Sequence, residues 1–191
     1  MYETTYHRAD SVDDAVTKMG EAGDGKYLSG GQTLLPTMKQ RLAAPSDLID
    51  LATIGDMKGI SVDGRTITIK AATTHAEVNA SDAIRGVCHS MAELAGMIGD
   101  PAVRHKGTIG GSIANNDPAA DYPSAALALN AIIKTSNREI AVDDFFRGFF
   151  TTALEPGELI VSVAFPIPDD AAYGRFEQRA SRYPMVGVFV A

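Results

Sequence analysis

Two short stretches of this chain have the composition to hold an oxyanion. Ser29-Gly30-Gly31-Gln32-Thr33 and Thr108-Ile109-Gly110-Gly111-Ser112 both set a glycine pair among hydroxyl or amide side chains. Adjacent glycines let successive backbone N–H groups turn inward as a nest, and with no Cβ in the way an anion can approach the backbone closely. The first stretch lies where a strand is expected to give way to a helix, whose N-terminus adds partial positive charge. Taken singly, either pair is no more than a tight turn requires. Two of them, from separate parts of the chain, could clasp a pyrophosphate from both sides. Arg104-His105-Lys106, just upstream of the second stretch, is the one local cationic cluster, and a solvated loop accounts for it equally well.

Other residue patterns carry less. Asn115 to Asp121 offers amides and carboxylates suited to sugar-like hydroxyls. Asp117 before a proline and Asp121 at a helix start are also ordinary structural choices. His75, following Thr73-Thr74 at a helix start, reads as a capping or packing residue rather than an acid–base catalyst. Phe145, Phe146, Phe149 and Phe150 fit core packing at helical spacing. Gly20 to Tyr27 approximates a phosphate loop, but Tyr27 replaces the hydroxyl that would bind magnesium, and the stretch follows a helix instead of preceding one. There is no GxGxxG, and no Ser/His/Asp, Cys/His or paired-carboxylate arrangement stands out. Redox chemistry, where a cofactor carries the reaction, is the class that needs none of these.

The elements that must position these stretches belong to a globular chain. It has 191 residues, 45% hydrophobic and 21% charged, enough for one good core or two small ones. The net charge of −7 and the lack of a dense basic run argue against nucleic acid as a partner. Cys88 is alone, which excludes an intrachain disulfide and any cysteine-ligated iron–sulfur centre held by this chain. His7, His75, His89 and His105 lack zinc-site spacing. No signal peptide and no apolar run of membrane-spanning length is visible, so a cytoplasmic domain without a transmembrane segment is expected.

Ser11 caps a helix with Val12, Ala15, Val16 and Met19 on one face; a strand at 26–28, a helix from Leu34 to about Arg41 and a strand at 47–51 complete an αβαβ unit with a parallel sheet. Beyond Ile54 the pattern becomes α+β. It begins with a hairpin around Asp63-Gly64 and continues with one long helix from Asp82, which buries Cys88 as a small hydrophobe. The glycine-rich loop at 107–112, a helix at 122–129 and strands at 131–135, 139–142 and 158–165 follow. After a proline linker come strands at 173–180 and 185–190, the last ending at Ala191 without turn or cap, as if a further domain were to follow.

The order Ser29-Gly-Gly-Gln-Thr-Leu-Leu-Pro36, then Ala71-Ala-Thr-Thr-His75, then Asp100-Pro-Ala-Val-Arg-His-Lys-Gly-Thr-Ile-Gly-Gly-Ser-Ile-Ala-Asn-Asn-Asp-Pro-Ala-Ala-Asp-Tyr122 resembles the FAD-binding medium subunit of molybdenum hydroxylases, the carbon monoxide dehydrogenase and xanthine dehydrogenase group. Asp144-Phe145-Phe146 through Glu158-Leu159-Ile160 agrees too. The resemblance implies an α+β FAD-binding fold of the vanillyl-alcohol-oxidase type: subdomains 1–54 and 55–168, then 169–191 as the start of a C-terminal domain the chain lacks. It implies that Ser29, Gly30, Gly31, Gln32, Thr33 and Leu34 on one side, and Thr108, Ile109, Gly110, Gly111 and Ser112 on the other, hold the FAD pyrophosphate through backbone N–H groups. Asp121 would bind FAD hydroxyls, and Thr73, Thr74, Ile98 and Ile160 would lie near the flavin or its chain. Tyr183 is a candidate flavin-face aromatic, and Gln32, where covalent flavin carriers often have His, implies non-covalent FAD. The implied partners are an iron–sulfur small subunit and a molybdenum large subunit, in a dimer of heterotrimers. Electrons would pass from partner clusters through FAD to an external acceptor. A non-catalytic nucleotide-binding or assembly module and a stand-alone flavin oxidoreductase are the alternatives. If both glycine segments only hold ligand, valine at Gly31 or Gly110 abolishes binding and leaves the fold largely intact.

Overall fold

A computed structural model describes residues Met1–Ala191. The chain opens with β1 (Thr5–Arg8), α1 (Val12–Glu21), β2 (Gly25–Leu28), α2 (Leu34–Lys39) and β3 (Asp47–Asp50). The three strands form a parallel sheet in the order β1-β3-β2, so the unit is βαβαβ rather than αβαβ. Sequence periodicity misses β1 because Thr5-Tyr6-His7-Arg8 has no apolar alternation. Its backbone ladder to β3 holds it, and side chains reinforce the register: Tyr6 Oη donates to Asp50, and His7 Nε2 meets Asp47 Oδ1 at 2.7 Å. Ser11 caps α1 as expected, accepting from the Asp14 N–H.

The second unit begins with the expected antiparallel hairpin, β4 (Ile60–Asp63) and β5 (Thr66–Lys70). Three helices follow, α3 (His75–Ala80), α4 (Asp82–Val87) and α5 (His89–Met97). The single long helix expected from Asp82 is thus two, broken at Cys88, whose φ −156° and ψ 75° are not helical. Gly86 and Val87, both poorer helix formers than Ala or Leu, immediately precede the break. Ser81, not Asp82, is the cap of α4. Cys88 is buried as expected.

The stretch 107–112 read as a glycine loop is helical from Ile109 onward: after α6 (Pro101–Arg104), α7 (Ile109–Asn115) takes it up, and α8 (Tyr122–Ala128) follows. Next come β6 (Ile132–Thr135), β7 (Glu139–Ala141), α9 (Val142–Phe145), the small hairpin β8 (Phe146–Gly148) and β9 (Thr151–Thr152), and β10 (Ile160–Pro166). A five-stranded sheet runs β4-β5-β10-β6-β7. Phe145 is fully buried, but Phe149 and Phe150 lie on the β8–β9 turn and are 81% and 62% exposed, so the aromatic group is not one core cluster. The hairpin β11 (Ala172–Glu177) and β12 (Pro184–Val190) ends the chain.

One hydrophobic core of 35 buried residues runs from Ala9 and Ile49 of the parallel sheet to Tyr173 and Phe189 of the last hairpin. The units are also joined by Tyr27 Oη, which donates to the Gly157 carbonyl at 2.8 Å. No helix is long and apolar enough to cross a membrane.

Candidate functional site

The loop leaving the carboxyl end of β2 is where an open parallel sheet places ligands. Here it faces the start of α7 across a cleft of about 880 Å³, within the usual range of about 300–1,000 Å³ for ligand sites. The two glycine segments do meet: Ser29 Oγ and Thr108 Oγ1 are 2.9 Å apart. A Cβ on Gly30 would sit 2.1 Å from the Lys106 carbonyl oxygen and 2.7 Å from Gly107 Cα, so only glycine allows the approach.

In the first segment, no hydrogen bond within the chain engages the backbone N–H of Gly30, Gly31, Gln32, Thr33 or Leu34. Gly31 has φ +69°, which turns the chain sharply before α2. Thr33 makes no side-chain cap, so the Leu34 N–H at the start of α2 stays open, while the Leu35 N–H donates to the Gly31 carbonyl at 3.1 Å and Pro36 has no N–H. All six residues from Ser29 to Leu34 line the cleft.

The second segment differs. Ile109 N–H donates to the Thr73 carbonyl at 3.2 Å and Gly110 N–H to the Ala71 carbonyl at 2.9 Å. Gly111 N–H reaches Thr108 Oγ1 at 3.2 Å, and Ser112 N–H the Thr108 carbonyl at 3.0 Å. Its donors from Ile109 to Ser112 are therefore used inside the fold, against the expectation of a backbone nest. Thr108, Gly110, Gly111 and Ser112 still line the cleft, where missing Cβ atoms and two hydroxyls are what they offer.

Ile98, Ile160 and Asp121 also line the cleft. Asp121 Oδ1 accepts from the Tyr173 hydroxyl and from Arg175 Nη1 at 2.9 Å, while no group of the chain bonds its Oδ2. Thr73, Thr74 and Ile109 stand outside the lining. Thr73 Oγ1 exchanges hydrogen bonds with the Gly59 backbone, Thr74 forms a capping box with Glu77, and Ile109 is fully buried. They position Thr108, which pairs with Thr74 as an isolated bridge. Arg104 donates to the carbonyls of Ile98 and Gly99, and neither it, His105 nor Lys106 reaches the cleft. Tyr183, 59% exposed, stands at its rim on the last hairpin.

Three cleft residues escape a reading by spacing. Glu158 has a fully buried side chain held by Arg138, Thr135 and the Glu155 N–H, and the Arg138 guanidinium is the main cause that lowers its pKa to about 2. Arg175, on β11, ties Asp121 to Glu177 and the Arg182 carbonyl. His75 is no cap, since Thr74 has that role; it is 5% exposed, and burial, with Arg104 nearby, pushes its pKa down to about 4. Only His75 had a signal, its place beside the Thr73-Thr74 pair.

A cleft of this size, lined by a row of free backbone donors, by apolar side chains and by a carboxylate with one oxygen unbonded, suits a dinucleotide. It is set in an α+β fold built on a three-stranded and a five-stranded sheet with two small hairpins. Residues 2–168 match the family described as FAD binding domain in molybdopterin dehydrogenase, and the chain belongs to that family. It is 38% identical over 188 residues to the carbon monoxide dehydrogenase medium chain of Afipia carboxidovorans, covering 93% of this chain and 65% of that one. The carbon monoxide dehydrogenase medium chain of Hydrogenophaga pseudoflava is 39% identical over 166 residues, covering 84% and 58%. Among solved structures, a cyanide-inactivated Cu,Mo-CO dehydrogenase chain superposes with a TM-score of 0.92 at 35% identity, over 97% of this chain and 68% of that one. The chain thus spans about two thirds or less of the length of these two curated relatives.

Proposed function

We propose that the chain binds FAD non-covalently in this cleft and serves as the electron-transfer flavoprotein of a molybdenum hydroxylase. The observation that carries the reading is the run of backbone N–H groups from Gly30 to Leu34, without acceptors in the chain and lining the cleft. Those donors hold the diphosphate, while Gly110 and Gly111 let it approach α7 and Ser29, Thr108 and Ser112 add hydroxyls. Asp121 Oδ2 accepts from a hydroxyl of the bound dinucleotide, with Oδ1 fixed by Tyr173 and Arg175. Ile98, Ile160 and Leu34 supply apolar contact and exclude water, and Thr73, Thr74 and Ile109 keep Thr108 in register.

When bound, the flavin supplies the redox chemistry, taking electrons from iron–sulfur clusters and passing them to an external acceptor. The clusters and the molybdenum cofactor belong to a small and a large partner subunit, in a dimer of heterotrimers in the cytoplasm. The lone, buried Cys88 supports placing the clusters outside this chain. Residues 1–54 and 55–168 act as the two halves of the FAD site, with Arg175 and Tyr183 from 169–191 among its lining. The test is an absorption spectrum of the purified chain after adding FAD and dialysing. Retained, stoichiometric flavin bands are expected; a colourless protein that takes up no added FAD overturns the reading.

A further inference from the structure

Two buried side-chain polar atoms in the chain have no hydrogen-bond partner, His75 Nδ1 and Tyr122 Oη. Their rings pack on each other, with centroids 5.5 Å apart at an angle of 40°. Buried polar atoms are nearly always paired, so two orphans on neighbouring rings beside a ligand cleft need a physical reason. The His75 ring is fixed tightly: its backbone N–H donates to the Gly107 carbonyl at 3.0 Å, and a Cβ on Gly107 would fall 2.7 Å from Nε2. Gly107 is also what Gly30 abuts. The Nε2 edge therefore lies where the two glycine segments join, with no partner in the chain, on a residue that lines the cleft.

Burial keeps the imidazole neutral, so one nitrogen donates and the other accepts. Which one carries the proton is set by the bond the other makes. Burial also raises the pKa of Tyr122, so its hydroxyl keeps a proton to donate. Donation toward Nδ1 through one interior water leaves the imidazole proton on Nε2. We propose that His75 contacts the ligand, its Nε2–H donating to a diphosphate oxygen of the bound dinucleotide, and that Tyr122 is a positioning residue that fixes this tautomer. The proposal rests on the FAD reading above and adds a side-chain donor to the backbone donors of the first segment.

The experiment titrates the chain and its variants with FAD, with ADP and with riboflavin, which lacks phosphate, by calorimetry. His75→Leu should weaken FAD and ADP by roughly 10- to 100-fold, the worth of one hydrogen bond to a charged group, and leave riboflavin unchanged. His75→Gln, which keeps an N–H at the same reach, should recover most of the affinity. Tyr122→Phe should cost about threefold to tenfold, the worth of one neutral hydrogen bond. In wild type, the ¹⁵N shifts of His75 should show the Nε2–H tautomer, and Tyr122→Phe should mix the two forms. His75→Leu binding FAD like wild type, His75→Gln as weak as His75→Leu, or an Nδ1–H tautomer in wild type would each overturn the proposal. A wild-type chain that binds ADP but not FAD overturns the FAD reading alone, and the His75 arms are then read on ADP. Binding of neither overturns both.

Discussion

Ser29–Leu34 and Thr108–Ser112 share a composition, a glycine pair among hydroxyl and amide side chains, yet the fold uses their backbones in opposite ways. From Gly30 to Leu34 the N–H groups bond nothing in the chain, whereas those of Ile109 to Ser112 all do. The difference follows from burial at Ile109 and Gly110, whose amides, buried against the exit of β5, must be paired within the fold. It follows also from capping at Gly111 and Ser112, whose N–H groups go to Thr108 at the start of α7. The first segment lies along the cleft, where its donors can stay open until a ligand arrives. Glycine is therefore required for two reasons: Gly31 to reach φ +69°, and Gly110 to admit Ala71, whose Cβ would be 2.5 Å from an added one.

The largest expected effect separates these reasons. In Gly110→Val the new side chain meets the Ala71 carbonyl oxygen at 2.7 Å, a backbone atom that cannot swing away. Stability should fall by about 3 kcal/mol, the upper end for overpacking, seen as a lower urea midpoint. This replaces the expectation that the fold would survive valine there. A midpoint like wild type would mean that the second segment is as pliable as the first.

Glu158 extends the contrast, since it lines the cleft but, like the second segment, is already engaged by its own chain. Its pKa falls from an ordinary 4.5 to about 2, chiefly through Arg138. A depressed carboxylate pKa stabilises the fold above the unfolded value, and that contribution fades as pH falls from about 4.5 toward 2. Arg138 is nearly half exposed, so solvent screens part of the interaction. Arg138→Met should lower the urea midpoint at pH 7, and the gap to wild type should close in acid. A gap that stays constant down to pH 2 would assign the loss to packing of the arginine stem.

Gly31→Val tests the other side of the comparison. The left-handed φ costs an ordinary residue about 1–2 kcal/mol, and the atoms its Cβ meets are the ends of the Leu35 and Leu28 side chains, which can adjust. The variant should fold, with a modestly lower melting temperature, and lose FAD retention on dialysis. A folded variant that keeps stoichiometric FAD would show that the free N–H row is not the holding element.

Much of this was legible in the residues, and the gaps have physical causes. The β4–β5 hairpin, the Ser11 cap and the meeting of two glycine segments follow from alternation, capping chemistry and composition. β1 was not legible, because its stability is in the ladder to β3 and not in its own pattern. The helical state of Ile109–Asn115 was hidden by Gly110 and Gly111, poor helix formers that packing against Ala71 overrides. Arg175 reaches Asp121 across 54 residues of sequence, a distance over which periodicity carries no information.

The smallest effect on stability belongs to Gly111→Ala, and it is the most selective test of the comparison. An added Cβ there meets only Thr108 Oγ1, at 3.0 Å, so a slight adjustment of the Thr108 side chain relieves the contact. Alanine is also the better helix residue by up to about 1 kcal/mol, and the position is inside α7. The two terms nearly cancel, so the melting temperature should stay within a few degrees of wild type. The residue lines the cleft, so if the second segment contributes closeness of approach and not donors, one methyl group is enough to weaken FAD, by about tenfold in a fluorescence titration. Unchanged affinity would place the diphosphate wholly on the first segment and leave α7 as its support. Lost affinity at full stability would show that a helix whose N–H groups are all engaged still shapes the site, through the side chain it lacks.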